Sequence, residues 1–385
     1  MTQVVARLVG RAAELGAAAW NACANPDGRS DPHPFTRYEF FEAVEESRSA
    51  TARTGWQPVH LTIERQGRVE GLMPLYVKNH SQGEYVFDHA WADALERAGG
   101  DYYPKLQACV PFTPVTGRRL LIAAGADAAA TRRALLGAGE AAVVQLKCSS
   151  LHVTFPTEEE WQAAASLGYL QRTDRQFHWE NRAYSSFDQF LGELSSGKRK
   201  NLKKERLSVR NAGVEFDWLT GGDITEKHWD TFFRFYTDTG GRKWGRPYLT
   251  REFFSRVGAS MAEQIVLILA RRGRRYIAGA LNFMGEGALF GRHWGCTEFV
   301  PFLHFEACYY QAIDFAIARG LAKVEAGAQG EHKLLRGYEP VTTYSAHYIA
   351  HEGLKRAVAD YLEREREAVA ENIEDLAAAS PFKKA

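Results

Sequence analysis

The segment EAGAQGEHKLLRGY, residues 325–338, gathers a carboxylate, an imidazole and cationic side chains among glycines. It extends a short strand pattern, LAKVEAGAQ, whose alternation puts Lys323, Glu325, Gly327 and Gln329 on one face. Gly327 allows backbone to approach a ligand closely. Glu331, His332 and Lys333 then open a turn at the C-terminal end of that strand, where α/β sheets place ligands. His332 has an ordinary pKa of about 6.5, which suits it to hold or release a proton near neutrality. The alternative for the trio is a polar, solvated helix start.

Four further groups have types that fit binding or proton transfer. Glu306 sits at the edge of an apolar stripe formed by Phe302, Phe305, Tyr309, Ala312, Ile313 and Ala316 at helical spacing. A carboxylate partly buried there has a raised pKa and suits a base; a first-turn acid favoured by the helix dipole is the other reading. In GALFGRHWG, alternation opposes His293 to Arg292 and Trp294, so His293 either touches substrate or packs in the core. Arg242, Lys243, Trp244, Arg246 and Tyr248, around glycine and proline, make an anion-binding loop or a merely solvated basic one. Asp88, His89, Trp91, Asp93, Tyr102, Tyr103 and Lys105 are polar and aromatic groups that would line a cleft, with Asp88 also placed to cap a helix. Finally, GKRKNLKKERLSVR carries Lys198, Arg199, Lys200, Lys203, Lys204, Arg206 and Arg210 against Glu205 alone. It fits an acidic carrier protein, tRNA phosphates or lipid headgroups, or a solvated helix face. The histidines are scattered, and no HExxH, GxSxG or P-loop motif occurs, so no metal site is expected.

The elements that position these groups belong to a globular chain. Its 385 residues suggest two domains, or three. A hydrophobic content of 45 % with 25 % charged residues excludes a disordered chain or a fibrous repeat. Lys and Arg number 48 against 47 Asp and Glu, so no global field calls for DNA or an anionic surface. Cys23, Cys109, Cys148, Cys296 and Cys308 are far apart with no CxxC, which argues against a disulfide framework or zinc ribbon and for a reducing cytoplasm. Arg7, Arg11 and Glu14 interrupt the Ala-rich N-terminus, so no signal peptide is expected, nor any integral membrane segment.

Strands are expected at 6–9, in the hairpin VHLTIERQGRVEGLMPLYV and at YVFD, KLQACV, RLLIAA, SSLHVTFP and QFHWENRA. Helices are expected over 11–24, after a Thr36 cap, and over 90–98, 128–144 and 157–167. The second half repeats the rhythm, with helices near 187–195, 198–211 and 225–239, three strands in IVLILARRGRRYIAGALNFMGEGALFGRHWG, a helix over 302–319, the strands LAKVEAGA and TTYSAHYIA, and a charged helix over 352–376. WQPVHLTIERQGRVEGLMPLYVKN and EQIVLILARRGRRYIAGALNFMGE share a pattern of apolar strand, charged turn with glycine, and strand with glycine before leucine. That likeness points to a diverged tandem duplication.

HPFTRYEFFEAVEES, the stretch from GLMPLYVKN to TGRRLL, DTGGRKWGRPYLT, and HFEACYYQAIDFAIARG with LAKVEAGAQGEHKLLRGY carry a family likeness over roughly 30–350. The chain resembles tandem GNAT N-acyltransferases of the Fem type, and the bacterial predicted N-acyltransferases described as a peptidoglycan biosynthesis or recognition family. The resemblance implies an α/β fold of two GNAT-like domains with mixed, largely antiparallel sheets. The expected division is 1–180, 181–350 with the active cleft, and a C-terminal charged helix at 351–385. It further implies that the strand bearing His293 borders the acyl donor. A lysine at the turn after 330 then lies near the reacting carbonyl; Lys333 matches it, with Arg336 a rival. Acetyl-CoA-using members carry a basic, glycine-rich pyrophosphate loop, whereas this chain has CTEFVPFLHFE at 296–306.

N-acylation needs a neutral amine, and at pH 7 a lysine-like amine of pKa about 10.4 faces a penalty of roughly 4.6 kcal/mol that a base or a desolvating pocket must offset. The expected activity is acyl transfer, with a fatty acyl group preferred, from a CoA or acyl-carrier-protein thioester to a primary amine of a peptide or small molecule, with no permanently bound cofactor. A Fem-like aminoacyl-tRNA-dependent peptidyltransferase and a non-catalytic peptidoglycan- or peptide-binding protein are the alternatives. His332, Lys333 and Glu306 are the expected catalytic residues. Arg242, Trp244, Tyr248, His293, Asp88, His89, Trp91, Tyr103 and Gln329 are the expected substrate contacts.

Overall fold

A computed structural model of the chain describes residues 4–243, 247–327 and 330–383, with the side chains of 240–243 outside that description. The chain forms two compact units, one of residues 1–174 and 342–371 and one of residues 175–341 and 372–385. The strand and helix that follow residue 341 thus count with the first unit, an excursion that a linear division at 180 and 350 leaves out.

In the first unit, strand β1 (Val4–Val9) leads into helices α1 (Ala12–Leu15), α2 (Ala17–Ala24) and α3 (Tyr38–Glu46). The single helix expected over 11–24 breaks at Gly16, whose φ of +80° lies where glycine is favoured. Thr36 does not cap α3; its hydroxyl donates to the carbonyl of His33 at 3.2 Å. Strands β2 (Trp56–Pro58), β3 (His60–Arg65), β4 (Arg68–Met73) and β5 (Leu75–Lys78) follow, then α4 (His89–Arg97), β6 (Lys105–Ala108), β7 (Leu121–Ile122), α5 (Ala128–Gln145), β8 (Ser150–Thr154), α6 (Glu158–Ala165) and the start of β9 (Leu170–Glu180). One ladder runs β1-β3-β4-β7, all antiparallel. In the other, β2, β5 and β6 pair antiparallel, and β6 pairs parallel with β8. Helix α6 starts on a capping box in which Thr157 accepts from Glu160 N–H, and the Glu160 carboxylate also binds the N–H groups of Arg119 and Leu120.

In the second unit, α7 (Phe187–Glu193) and α8 (Ser196–Asn211) precede β10 (Val214–Thr220), α9 (Glu226–Lys243) and α10 (Arg251–Ser260). Strands β11 (Ile265–Arg272), β12 (Arg275–Gly285) and β13 (Ala288–Cys296) form a meander with β10 on its edge. The helix expected over 302–319 comes in three pieces: α11 (Leu303–Phe305), a π turn over Glu306–Tyr310, and α12 (Gln311–Ala318). Phe302 stands before it in left-handed backbone, φ +65°, and is 38 % exposed, so it leaves the expected stripe. Tyr309, Ala312, Ile313 and Ala316 are buried in one core with Trp179, Phe190, Leu289 and Val324. Strand β14 (Lys323–Glu325) pairs parallel with β13 and antiparallel with β9. A 3₁₀ turn, Glu331–Arg336, leads into β15 (Glu339–Ile349), which pairs with β8, and α13 (Glu352–Ala378) ends the fold.

Hairpins β3–β4 and β11–β12 each bear a register shift shortly before the turn, at Ile63/Glu64 and at Ala270/Arg271. The first turns at Gln66 and Gly67, both with positive φ, as a two-residue hairpin of matching twist requires.

Candidate functional site

Parallel pairing of β13 with β14 covers Ala288–Phe290 against Lys323–Glu325. Beyond it β14 ends, while β13 runs on through Gly291 to Cys296. A cavity of about 110 Å³ opens there, lined by Asn282, Arg292, His293, Trp294, Cys308 and Tyr309 among others. A register shift between Leu281 and Asn282 makes Arg292 the extra residue of β13. Such bulges re-aim side chains and recur beside active sites. The opposite wall comes from the π turn, another irregularity common at functional sites. Among the described residues that line the cavity none is a carboxylate.

The turn Glu331–Arg336 stands beside this cavity. His332 Nε2 and the Tyr309 hydroxyl share a 3.0 Å hydrogen bond. The His332 ring lies so close to Gly330, at φ +104°, that a Cβ there would fall 2.2 Å from its Cε1. Burial, then the charges of Arg336 and Lys333, hold the His332 pKa below its ordinary value, so the imidazole is neutral at pH 7. Tyr309 is buried and its pKa is pushed up, so it keeps its proton. Lys333 is buried and donates to the Gly327 carbonyl at 2.8 Å. Burial brings its pKa down to about 8, opposed by Cys308, which lines the cavity. Arg336 fixes the turn: it donates to the His332 carbonyl at 2.7 Å and to Glu205 at 2.8 Å, and its guanidinium lies 3.5 Å over the Phe305 ring.

Glu306, from the same π turn, faces the other way. Its Oε1 accepts from Arg206 at 2.9 Å and from Gln311 at 2.8 Å, and it is not among the residues lining the cavity. Burial raises its pKa against the pull of Arg206. His293 does line the cavity, with its ring 5.1 Å from that of Tyr236; burial and then Arg292 push its pKa well down. His304 packs between the rings of Trp294 and Tyr309. Tyr248 is half-buried just ahead of α10. Trp244 and Gln329 lie outside the described residues, as does the side chain of Arg242, whose backbone belongs to α9. In the aromatic run at 299–305, Phe299 is 91 % exposed and Phe305 is stacked under Arg336.

The first-unit candidates assemble elsewhere, around a buried charge network. Asp88 occupies the N-cap position of α4 without capping it. Its Oδ2 instead accepts from Lys105 and, at 2.6 Å, from the Tyr102 hydroxyl. Lys105 also donates to Glu84 at 2.7 Å and to Ser81 at 2.8 Å, and is fully buried. Tyr102 reaches His152 Nε2 at 3.2 Å, and His152 Nδ1 meets His347 Nδ1 at 2.7 Å. Trp91 is buried with its ring edge-on to His347. Tyr103 bonds Ser81, while His89 is exposed and stacks on Phe87. Asp88, Trp91 and Tyr103 therefore belong to this network or its border, and His89 to the surface.

Among the polar side chains that line the cavity, Tyr309, Cys308 and Asn282 carried no expectation of substrate contact. Asn282 left a readable trace, one amide in the otherwise apolar strand GALNFMG. Tyr309 left none beyond its place in the apolar stripe, because its partner is 23 residues away.

A family model for FemAB-like proteins, described as peptidoglycan biosynthesis/recognition, matches residues 11–384. No curated protein matches the sequence. Among solved structures, FemX is similar with a TM-score of 0.55 at 12 % identity, covering 89 % of this chain and 98 % of FemX. A tandem GNAT protein from the clavulanic acid biosynthesis pathway gives 0.50 at 10 % identity, covering 91 % and 99 %. L-PGS from Bacillus licheniformis gives 0.51 at 10 %, covering 86 % and 98 %. At such identities the likeness is one of fold: two GNAT-like domains in tandem, with mixed and largely antiparallel sheets.

Proposed function

This chain belongs to the FemAB-like family of peptidoglycan biosynthesis and recognition, and from that premise we propose that it is a transferase moving a small acyl or aminoacyl group from an activated ester or thioester to a primary amine of a peptide. The observation that carries this reading is the pairing of a neutral imidazole and a buried ammonium on the turn His332–Lys333, beside a cavity with no carboxylate among its described lining residues.

In this mechanism the amine gives up a proton before or as it attacks the carbonyl carbon. The Tyr309 oxygen accepts that proton while its own passes to His332 Nε2, along the 3.0 Å bond between them. Negative charge then develops on the carbonyl oxygen. Lys333, still mostly protonated at pH 7, and Arg292 supply positive charge on the cavity side. The bond from carbonyl carbon to the donor's oxygen or sulfur breaks, and the leaving group takes up the proton. The cavity favours a small group, because about 110 Å³ is less than the roughly 150 Å³ that holds one benzene. That size supports an aminoacyl or short acyl group over the fatty acyl chain expected from the aromatic run. Glu306, committed to Arg206, supports the π turn.

The test is donor consumption. Purified protein is given acetyl-CoA, long-chain acyl-CoA or aminoacyl-tRNA together with a muramyl-type peptide bearing a free amine, and products are read by mass spectrometry. An amide product from a small donor is the expected outcome. Its rate should rise with pH through a pKa below 6.5, as His332 becomes a base, and fall above about 8, as Lys333 loses its proton. Saturable peptide binding with every donor left intact would instead make the protein a recognition module.

A further inference from the structure

Helix α8 of the second unit turns one narrow face inward. Leu202, Glu205, Arg206 and Val209 recur at helical spacing; Leu202 and Val209 are buried, and the Glu205 side chain is 15 % exposed. Glu205 is the lone acid of the basic run GKRKNLKKERLSVR. Its neighbour Arg206 holds Glu306 at 2.9 Å and Asp314 at 2.5 Å.

The Glu205 carboxylate receives donors from two different segments. Arg336 Nη2 donates to its Oε1 at 2.8 Å and to its Oε2 at 3.0 Å. The Tyr310 hydroxyl donates to the same Oε2. Tyr310 is buried, and burial pushes its pKa up, so that hydroxyl keeps its proton. It adjoins Tyr309 in the π turn. Arg336 ends the turn Glu331–Arg336 and, through Nη1, holds the His332 carbonyl at 2.7 Å. The 3.0 Å bond between Tyr309 and His332 spans these same two segments. No described backbone hydrogen bond joins them, and the Tyr338 hydroxyl reaches the Tyr309 carbonyl only at 3.4 Å.

We propose that Glu205 is a positioning residue: by tying Tyr310 and Arg336 to one carboxylate, it holds the Tyr309–His332 pair in register. What the pair does there rests on the transferase reading; how it is held does not. Glu205 is absent from the cavity lining, so it acts only through these neighbours. A proton passes along a hydrogen bond of about 3 Å, and small displacements are costly in rate. A counter-charge for a buried arginine would need Arg336 alone; the Tyr310 hydroxyl on the same oxygen is what that role leaves out. Charge follows the same path. Tyr309 and His304 approach His332 from the other segment, the two histidine rings 6.4 Å apart, while Lys333 and Arg336 share its turn and Glu331 pairs with Arg175 at 3.3 Å. Arg336 and Lys333 oppose a proton on His332. The Glu205 anion offsets part of the Arg336 charge, so its removal makes the imidazolium harder to form.

The experiment compares Tyr310→Phe and Glu205→Gln in the full chain. Tyr310→Phe removes one tie and no charge; Glu205→Gln removes the charge and leaves one acceptor oxygen. Each should lower kcat of transfer by about tenfold with KM for the peptide unchanged. The double variant should lose little more than Glu205→Gln, because one carboxylate serves both ties. In the free protein, the His332 imidazole nitrogen shifts, assigned with His332→Ala, report the bond to Tyr309. Both variants should move them part of the way towards their values in Tyr309→Phe. His332 should titrate at lower pH in Glu205→Gln and at its wild-type pH in Tyr310→Phe. Tyr310→Phe leaves Arg336 paired, so it reads the tie even where Glu205→Gln unfolds. Wild-type kcat and nitrogen shifts in the folded variants, with only a lower melting temperature, would make Glu205 a counter-charge and overturn the proposal. If the wild-type protein makes no amide from any donor, the transferase reading falls, and the nitrogen shifts decide alone: moved shifts uphold Glu205 as the tie, and unmoved shifts overturn it.

Discussion

Each unit contains a short parallel strand pair, and these two pairs are furnished in opposite ways. In the first unit, Leu106–Ala108 runs beside Leu151–Val153. The polar side chains on and around that pair, Lys105, Gln107, His152 and Thr154, are all buried and largely satisfy one another: Gln107 donates to Thr154 at 3.0 Å, and Lys105 binds Glu84 and Asp88. In the second unit, β13 outlasts β14, and the side chains past the end of the pair face a cavity. The same local geometry therefore builds a strut where buried polar groups bind each other, and the cavity of the proposed site where they are left facing space. Buried charges held in a closed network fix structure; the same kinds of group beside a void are available to a substrate.

The largest effect expected from this contrast is on stability. Lys105→Met leaves Glu84 and Asp88 buried without their shared cation and should cost about 3–5 kcal/mol in denaturant unfolding. Lys333→Met, which frees only the Gly327 carbonyl, should cost less than about 2 kcal/mol. Equal costs would erase the distinction between strut and site.

Next in size is the effect on turnover. His332→Ala or Lys333→Met should lower kcat by about 100-fold, roughly 2.7 kcal/mol, with the fold retained. Near-wild-type turnover in both variants would return the turn to a structural role. A similar loss in Glu306→Gln would move the base to the other side of the π turn.

The smallest effect is a slope. Burial is the main cause that pushes His152 down to about 3 and His347 well below its ordinary value. Native imidazoles then stay neutral while the unfolded chain takes up protons below about 6.5. Their contribution is fully present above that pH and is lost progressively as pH falls towards 3. Each imidazole adds a slope approaching 1.4 kcal/mol per pH unit, about one proton's worth. His347→Gln should flatten the stability curve between pH 6 and 5 by about that amount; parallel curves would show that His347 titrates alike in both states.

Much of the architecture was legible because it follows from short-range rules. The apolar run IVLILA, the charged turn and the run YIAGALNFMG mark β11 and β12, and Gly273, at φ +59°, marks their turn. The Ala-rich run near 128–144 became α5, on an Asp127 cap that accepts from Ala130 N–H at 3.0 Å. Strand β10 lies outside the expected elements, although VEFDWLT alternates. The site was legible only in part. His332 and Lys333 could be named from a glycine-rich turn after a strand, but their orientation towards Tyr309 and Cys308 depends on a π turn that no periodicity announces.

The sequence alone determined much of the order of elements, the repeated hairpin, the basic helix and the turn at 331–333, because each is set by neighbours a few residues apart. Tertiary structure alone decided which polar groups meet. Asp88 could cap its own helix or bind Lys105, and burial beside a lysine with no access to water made the ion pair the better partner. Glu306 could stand in the cavity or against Arg206, and the extra residue of the π turn rotated it to the arginine. Tyr309 and His332, 23 residues apart, became a pair because the termination of β14 left room beside β13 that the π turn lines, and the turn at 331–336 packs against Tyr309 there.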